Sequence, residues 1–263
     1  MNLGLQNKVA IIEAASEGLG KASAMALAQE GATVVLCARR EKVLADTVEE
    51  IRSATHSTVE AIPADVSKAE DIEKVIRFTL DKYKTIHILV NNAGGPPPGD
   101  VLSLTDADWF HAYELTLLSV VRFTRAVLPR MVGQQWGRII SIVSFVAKQP
   151  TNDLLISSTL RPGILGFTKA LSNIYAQYNI TINTVCPGNI LTKRQQEIAS
   201  AKAKNQNISY DEYLQQVAST IPANRLGKSE EVGDVVAFLA SEKASYINGV
   251  NLLVDGGVAK GIF

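Results

Sequence analysis

Short apolar runs rich in β-branched residues alternate along this chain with longer stretches whose apolar positions recur every three or four residues. Val9–Glu13, Thr33–Cys37, Thr58–Ile62, Ile86–Asn91, Gly137–Val143, Thr181–Val185 and Asn251–Val254 read as strands. Gly20–Glu30, Glu41–Ala54, Lys68–Tyr83, Asp106–Met131, Pro162–Tyr178 and Glu230–Ser241 read as helices. In the second of these helices, Val43, Leu44, Val48 and Ile51 make a single apolar stripe. Strands separated by helices cannot close into hairpins; they need right-handed crossovers and a parallel sheet covered on both faces. The pattern therefore predicts an α/β fold, a doubly wound parallel seven-stranded sheet in three αβα layers. Ligands of such sheets bind beyond the carboxyl ends of the strands, so chemistry is expected in the loops that follow them.

Two segments break this rhythm. Gly94–Gly99 reads G-G-P-P-P-G, a stiff loop with few backbone donors. Residues 189–221 leave the strand–helix alternation, with helix-prone pieces at Lys193–Lys204 and Tyr210–Ser219. Such an excursion reads as a lid or binding loop, with a surface decoration or subunit contact as the alternative. No repeat, low-complexity tract or linker interrupts the sequence. Its 263 residues, 46% of them hydrophobic, suit one domain over 1–263.

Charge narrows the partners. Lys and Arg total 26, Asp and Glu 26, for a formal net charge of +0. No basic arm points to nucleic acid, which leaves a small molecule or another subunit. Near-zero charge makes self-association electrostatically easy. Cys37 and Cys186 lie in apolar strand-like runs without a second Cys or His at ligand spacing. Buried, reduced thiols are therefore expected, and a metal site is not. Neither a cleavable leader nor a run of about 18 apolar residues is read. The expectation is a cytoplasmic protein with no membrane span.

The first candidate chemistry follows the first strand. Ala14, Ala15, Ser16, Glu17, Gly18, Leu19 and Gly20 form a small-residue turn that opens a helix. Backbone N–H groups and the positive helix end suit a pyrophosphate there, and glycines allow close approach. Two glycines alone fit a tight strand–helix turn as well. About 20 residues further on, an NAD site would place Asp or Glu on the adenosine ribose. This sequence instead has Ala38 followed by Arg39 and Arg40. Guanidinium groups suit a 2′-phosphate, which favours NADP(H) over NAD(H); the alternative is solvated charge at a helix start. Glu17 opposes this reading, because a carboxylate near the cradle repels an extra phosphate unless it turns away.

With these residues the chain resembles the short-chain dehydrogenases/reductases, a Rossmann-type family, over nearly its whole length. The turn 14–20 is similar to the family's T-G-x-x-x-G-x-G, with Glu13 and Ala14 replacing the Thr and the first Gly. Asp65 and Val66 resemble the acidic–aliphatic pair at the adenine, and Asn91, Asn92, Ala93 and Gly94 reproduce N-N-A-G. Asn183, followed by Pro187, Gly188, Asn189, Ile190, Leu191 and Thr192, resembles the segment beside the nicotinamide. Arg225-Leu226-Gly227 and Val254-Asp255-Gly256-Gly257 also match. The resemblance implies hydride transfer between nicotinamide and a small carbonyl or alcohol, as in 3-oxoacyl reductases. It further implies a homo-oligomer, tetramer or dimer, to which Leu115, Leu117, Leu118 and Val121 would lend apolar area if they are not core contacts.

The same resemblance implies a catalytic Ser, Tyr, Lys and Asn, and here the match fails. Ser144 ends the fifth strand where the Ser belongs. Gly166-Phe167-Thr168-Lys169-Ala170-Leu171 reproduces the run that follows the family's Y-x-x-x-K and sets the register. The Tyr position is Ser157, the Lys position is Arg161, and the Asn position, after Trp109, is Thr116. A phenol starts near pKa about 10 and a neighbouring ammonium lowers it; an aliphatic hydroxyl is a far weaker acid. Arg161 still offers hydrogen bonds to ribose hydroxyls and stays charged. Pro162 disfavours helical geometry at Arg161 and is expected to start or kink the helix. Tyr175 and Tyr178 lie too far along that helix to stand in. Tyr113 and Lys148 are nearer, while His56, His87 and His111 fall away from the strand ends. Two readings stay open: an NADP(H)-dependent oxidoreductase in which Ser144 holds the oxygen, and a catalytically silent NADP(H)-binding protein, sensor or structural.

Overall fold

All five residues of β1 (Val9–Glu13) and all eight of β6 (Ile180–Pro187) are buried, as strands covered on both faces must be. The computed structural model, which describes residues 2–262, joins them with β2 (Thr33–Ala38), β3 (Val59–Pro63), β4 (Ile88–Asn91), β5 (Gly137–Ile142) and β7 (Asn251–Val254). All pair in parallel, in the order β3-β2-β1-β4-β5-β6-β7. The described helices are α1 (Gly18–Gln29), α2 (Glu41–Thr55), α3 (Ala69–Tyr83), α4 (Asp106–Tyr113), α5 (Ser119–Gly133), α6 (Leu155–Tyr175), α7 (Lys193–Asn205), α8 (Tyr210–Ser219) and α9 (Ser229–Ala240). The expected Rossmann-type sheet is therefore present.

Alternation along each strand fills two cores. Ala10 and Ile12 of β1 pack with α1, α2 and α9, and Ile11 packs with α3 and α5 on the other face. Gly233 lets α9 lie close on α1: a Cβ there would come within 2.6 Å of the Ala22 carbonyl oxygen. Cys37 and Cys186 are free thiols, both fully buried, and burial pushes both pKa values up. No helix among the described residues is long and apolar enough to cross a membrane.

Two helices depart from the sequence reading. Helix α6 begins at Leu155, so Pro162 lies inside it rather than at its start. Ile156, Ser157, Arg161 and Ile164 are all buried, and packing of that face outweighs the backbone bond that proline removes. The long helix expected over Asp106–Met131 is interrupted by a π-helical turn, Glu114–Leu118. Such a turn adds one residue to the ring without changing the apolar pattern enough to announce itself.

The strands' amino ends hold a separate polar cluster. His87 Nδ1 accepts from the Val9 N–H at 3.0 Å, and burial, with Lys8 and Arg130 nearby, pushes its pKa down to about 4. Arg138 lies over the Trp136 ring at 4.4 Å and reaches Glu242 at 3.7 Å. His56 caps the end of α2 and His111 is exposed on α4, and no histidine lines either cavity at the ligand edge.

Glu13, the last residue of β1, is fully buried opposite Cys37, and neither carboxyl oxygen has a hydrogen-bond partner among the described residues. Burial pushes its pKa up to about 8; the nearby Asn92 backbone N–H offsets only part of this. Glu13 is thus a neutral acid at neutral pH. Between its ordinary value of 4.5 and about 8, the unfolded chain has released this proton while the folded chain keeps it. Folding stability from this residue therefore falls as pH rises through that window, by about 1.4 kcal/mol per pH unit for one proton. Thermal melts across the window should show that decline in the wild type and a flatter profile in Glu13→Gln; equal slopes would contradict the assignment.

Candidate active site

The strand order reverses between β1 and β4, and a cleft of about 340 Å³ opens at the carboxyl edge beside that switch point. β1 runs straight into the turn that forms its floor. Ala14 takes φ 46°, in the left-handed region that favours glycine, so the Ala for Gly exchange there carries backbone strain. Gly20 seats the start of α1 on this turn: a Cβ would lie 2.6 Å from the Ala14 carbonyl oxygen and 2.8 Å from Asn92 Nδ2. Asn92 Nδ2 in turn donates to the Glu13 carbonyl at 3.3 Å. Glu17 precedes α1 without bonding its first amides, and the first turn holds no acid. The amino end of α1 thus remains available to an anion.

Ala14, Ser16, Glu17, Gly18 and Leu19 line this cleft with Arg39, Arg40, Asp65, Val66, Asn92, Ala93, Gly94 and Thr192. Gly20 lies beneath it. The Glu17 carboxylate does turn aside: it pairs with Arg40 and, at 3.0 Å, with Lys193. Partial desolvation of Glu17 is outweighed by these bonds and charges, which hold its pKa below the usual range. Arg39 has no such partner among the described residues. Asp65, partly desolvated, is held low by hydrogen bonds from Ser67 and by the charge of Arg39.

A second cavity of about 260 Å³ adjoins the first, with Leu19, Gly95, Thr192 and Arg194 in the walls of both. Ser144, Ser157, Arg161, Pro187, Gly188 and Ile190 line it. Ser144 Oγ accepts from the Val146 N–H at 3.3 Å. Arg161, 8% exposed, donates from Nε to Ser157 Oγ at 2.9 Å and from Nη1 to the Val143 carbonyl. With both acceptor sides engaged by fixed donors, the two serine O–H groups are free to donate into the cavity.

The remaining candidates do not join this group. Thr116 is buried on the π-turn and donates to the Ala112 carbonyl at 2.5 Å, outside the walls of either cavity. Lys148 Nζ donates to the Asn251 carbonyl at 3.3 Å, and Tyr113 is 41% exposed on α4. Sequence reasoning passed over Lys193 and Arg194. Their one signal was position: two cations in the first turn of an expected helix, where its dipole disfavours positive charge. Thr192 caps that helix, accepting from the Gln195 N–H at 3.2 Å. The 189–221 excursion thereby places the amino end of α7 against the cleft.

The sequence profile of a family described as enoyl-(acyl carrier protein) reductase matches residues 14–259. A 3-oxoacyl-[acyl-carrier-protein] reductase, FabG, of Vibrio cholerae is 34% identical over 256 residues, covering 97% of this chain and 99% of that protein. An uncharacterized oxidoreductase of Bacillus subtilis, YvaG, is 32% identical over 269 residues and covers both chains fully. The crystal structure of L-sorbose reductase from Gluconobacter frateurii, complexed with NADPH and L-sorbose, superposes with a TM-score of 0.96 at 32% identity over 100% of each chain. The chain belongs to the short-chain dehydrogenase/reductase family of oxidoreductases. Similarity to an NADPH-bound structure supports use of NADP(H), and the uncapped amino end of α1 in the wall of the cleft fits a dinucleotide.

Gly20→Ala should weaken NADPH binding by roughly tenfold or more and cost about 1–3 kcal/mol of stability, since a methyl group there overlaps backbone. Calorimetry and thermal melts check both; an unchanged affinity would separate the turn from the cofactor.

Proposed function

We propose that this protein is an NADP(H)-dependent oxidoreductase that transfers hydride between the nicotinamide and a small carbonyl or alcohol substrate, with Ser144, Ser157 and Arg161 as its polar working groups. One observation carries the reading: two hydroxyls, each pinned on its acceptor side, share a cavity with a buried guanidinium next to the cofactor cleft. Bound NADPH would supply the hydride. As the carbonyl carbon is reduced, negative charge grows on its oxygen. Ser144 and Ser157 are placed to donate hydrogen bonds to that oxygen, and Arg161 lends its positive charge through Ser157. A serine hydroxyl surrenders its proton reluctantly, so water entering the open cavity supplies the proton that a phenol gives elsewhere in the family.

Preference for NADP(H) over NAD(H) is part of this proposal. It is supported by Arg39, which lines the cleft at the end of β2 and has no ion-pair partner among the described residues, while Glu17 pairs with Arg40. Asp65, Val66, Asn92, Ala93 and Gly94 would hold the adenosine side, and Pro187, Gly188, Ile190 and Thr192 the nicotinamide side. Thr116 is assigned to support of the helix rather than to proton relay. A homo-oligomer is also proposed, supported by an apolar furrow of about 440 Å³ between α5 and α6 and by the outer edge of β7.

NADPH consumption with a panel of ketones, 3-oxoacyl thioesters and oxo acids, followed by nicotinamide absorbance, tests the reading. Ser157→Ala should lower kcat by roughly 10²–10³ with little change in NADPH affinity. Tight NADPH binding with no consumption on any class would instead favour the silent protein. In calorimetry, Arg39→Ala should raise the Kd for NADPH by roughly tenfold and leave NADH unchanged. Arg40→Ala should do less, its charge being already shared with Glu17.

A further inference from the structure

Two arginines, Arg161 and Arg194, line the 260 Å³ cavity, and no Asp or Glu stands in its wall among the described residues. Arg161 is nine-tenths buried, and two of its nitrogens are committed to Ser157 and Val143. Its Nη2 makes no hydrogen bond to the described residues. Arg194 enters the same wall from the first turn of α7, where the helix dipole adds further positive potential. Its neighbour Lys193 is neutralised by Glu17. Arg194 has no acidic partner among the described residues. Burial first, and then the charge of Arg194, lower the pKa of Arg161 to about 10, against an opposing effect of Cys186. Positive charge gathered in a partly dry cavity without a counter-charge is costly, and an anion seated there removes the cost.

We infer that the substrate carries a carboxylate: it is a small oxo acid or hydroxy acid whose acid group docks between Arg161 Nη2 and Arg194 while its carbonyl or hydroxyl oxygen meets Ser144 and Ser157. This rests on the role given above to the two serines. Arg161 and Ser157 lie one helical turn apart and are bonded to each other. Acid and carbonyl must therefore be close neighbours in the substrate, as in a 2-oxo acid. A planar carboxylate suits guanidinium donors, which match it with paired hydrogen bonds. Arg194 acts as a specificity residue, setting KM for the acid; it has no proton to transfer.

The other anion within reach is the cofactor's pyrophosphate, because Arg194 also borders the larger cleft. Equilibrium binding separates the two without any need for turnover. NADP⁺-saturated protein titrated with 2-oxobutanoate and with its methyl ester should bind the acid roughly tenfold more tightly or better. Arg194→Gln should remove most of that preference, the remainder resting on Arg161, and Arg194→Lys should keep more of it. Equal affinity for acid and ester in the wild type overturns the inference. So does a Kd for NADPH that rises roughly tenfold in Arg194→Gln, which would assign the residue to the pyrophosphate. Charge-selective binding without NADPH consumption would leave this inference standing and remove the oxidoreductase reading. Consumption with neutral ketones and no preference for acids would do the reverse.

Discussion

The seat of α1 on the end of β1 is the constraint from which the rest of the molecule is arranged. Gly20 has no side chain, so the first turn of the helix can rest on the Ala14 carbonyl and on Asn92. Asn92 belongs to the loop after β4, and its amide bonds back to β1 through Glu13. The two central strands are thereby tied together where the sheet changes direction. Everything a dinucleotide would touch takes its position from that knot: the amino end of α1, the tip of β2 with its arginines, and the N-N-A-G loop. The knot is bought at the expense of strain at Ala14 and a buried, unpartnered acid at Glu13.

Electrostatics divide the ligand edge into two regions of different character. Around the larger cleft, Glu17 pairs with Arg40 and Lys193, while Arg39 lowers the pKa of Asp65 through its charge without forming an ion pair among the described residues. The smaller cavity is lined by Arg161 and Arg194 and by no acid among the described residues. Ser157, held by a hydrogen bond from Arg161, stands in the same wall. A site of this kind stabilises a developing alkoxide by orientation and charge.

Much of this was legible in the residues. The strand periodicity, the glycine turn and the G-F-T-K-A-L register located Ser144, Ser157 and Arg161 well enough that the cavity joins all three. What escaped was set by contacts between distant segments. Pro162 argued against helix before it, yet burial of Ile156, Ser157 and Arg161 carries α6 back to Leu155. The π-turn at Glu114–Leu118 shifts the helix by one residue, which a pattern of repeating apolar positions does not resolve. Glu17 read as an obstacle to phosphate, because its partner Lys193 lies so far along the sequence. Arg194 was passed over, because only the fold brings the start of α7 against the cleft.

The two cysteines have a practical consequence. A thiol attacks an alkylating reagent only as the exposed thiolate, and both Cys37 and Cys186 are withheld from solvent and held protonated by burial. Cys37 sits near the carboxyl end of β2, and Cys186 near that of β6, on opposite sides of the central strands. Modification of each therefore waits on opening of its own region. The chain carries a pair of internal clocks, whose relative rates distinguish loosening around one half from loosening around the other.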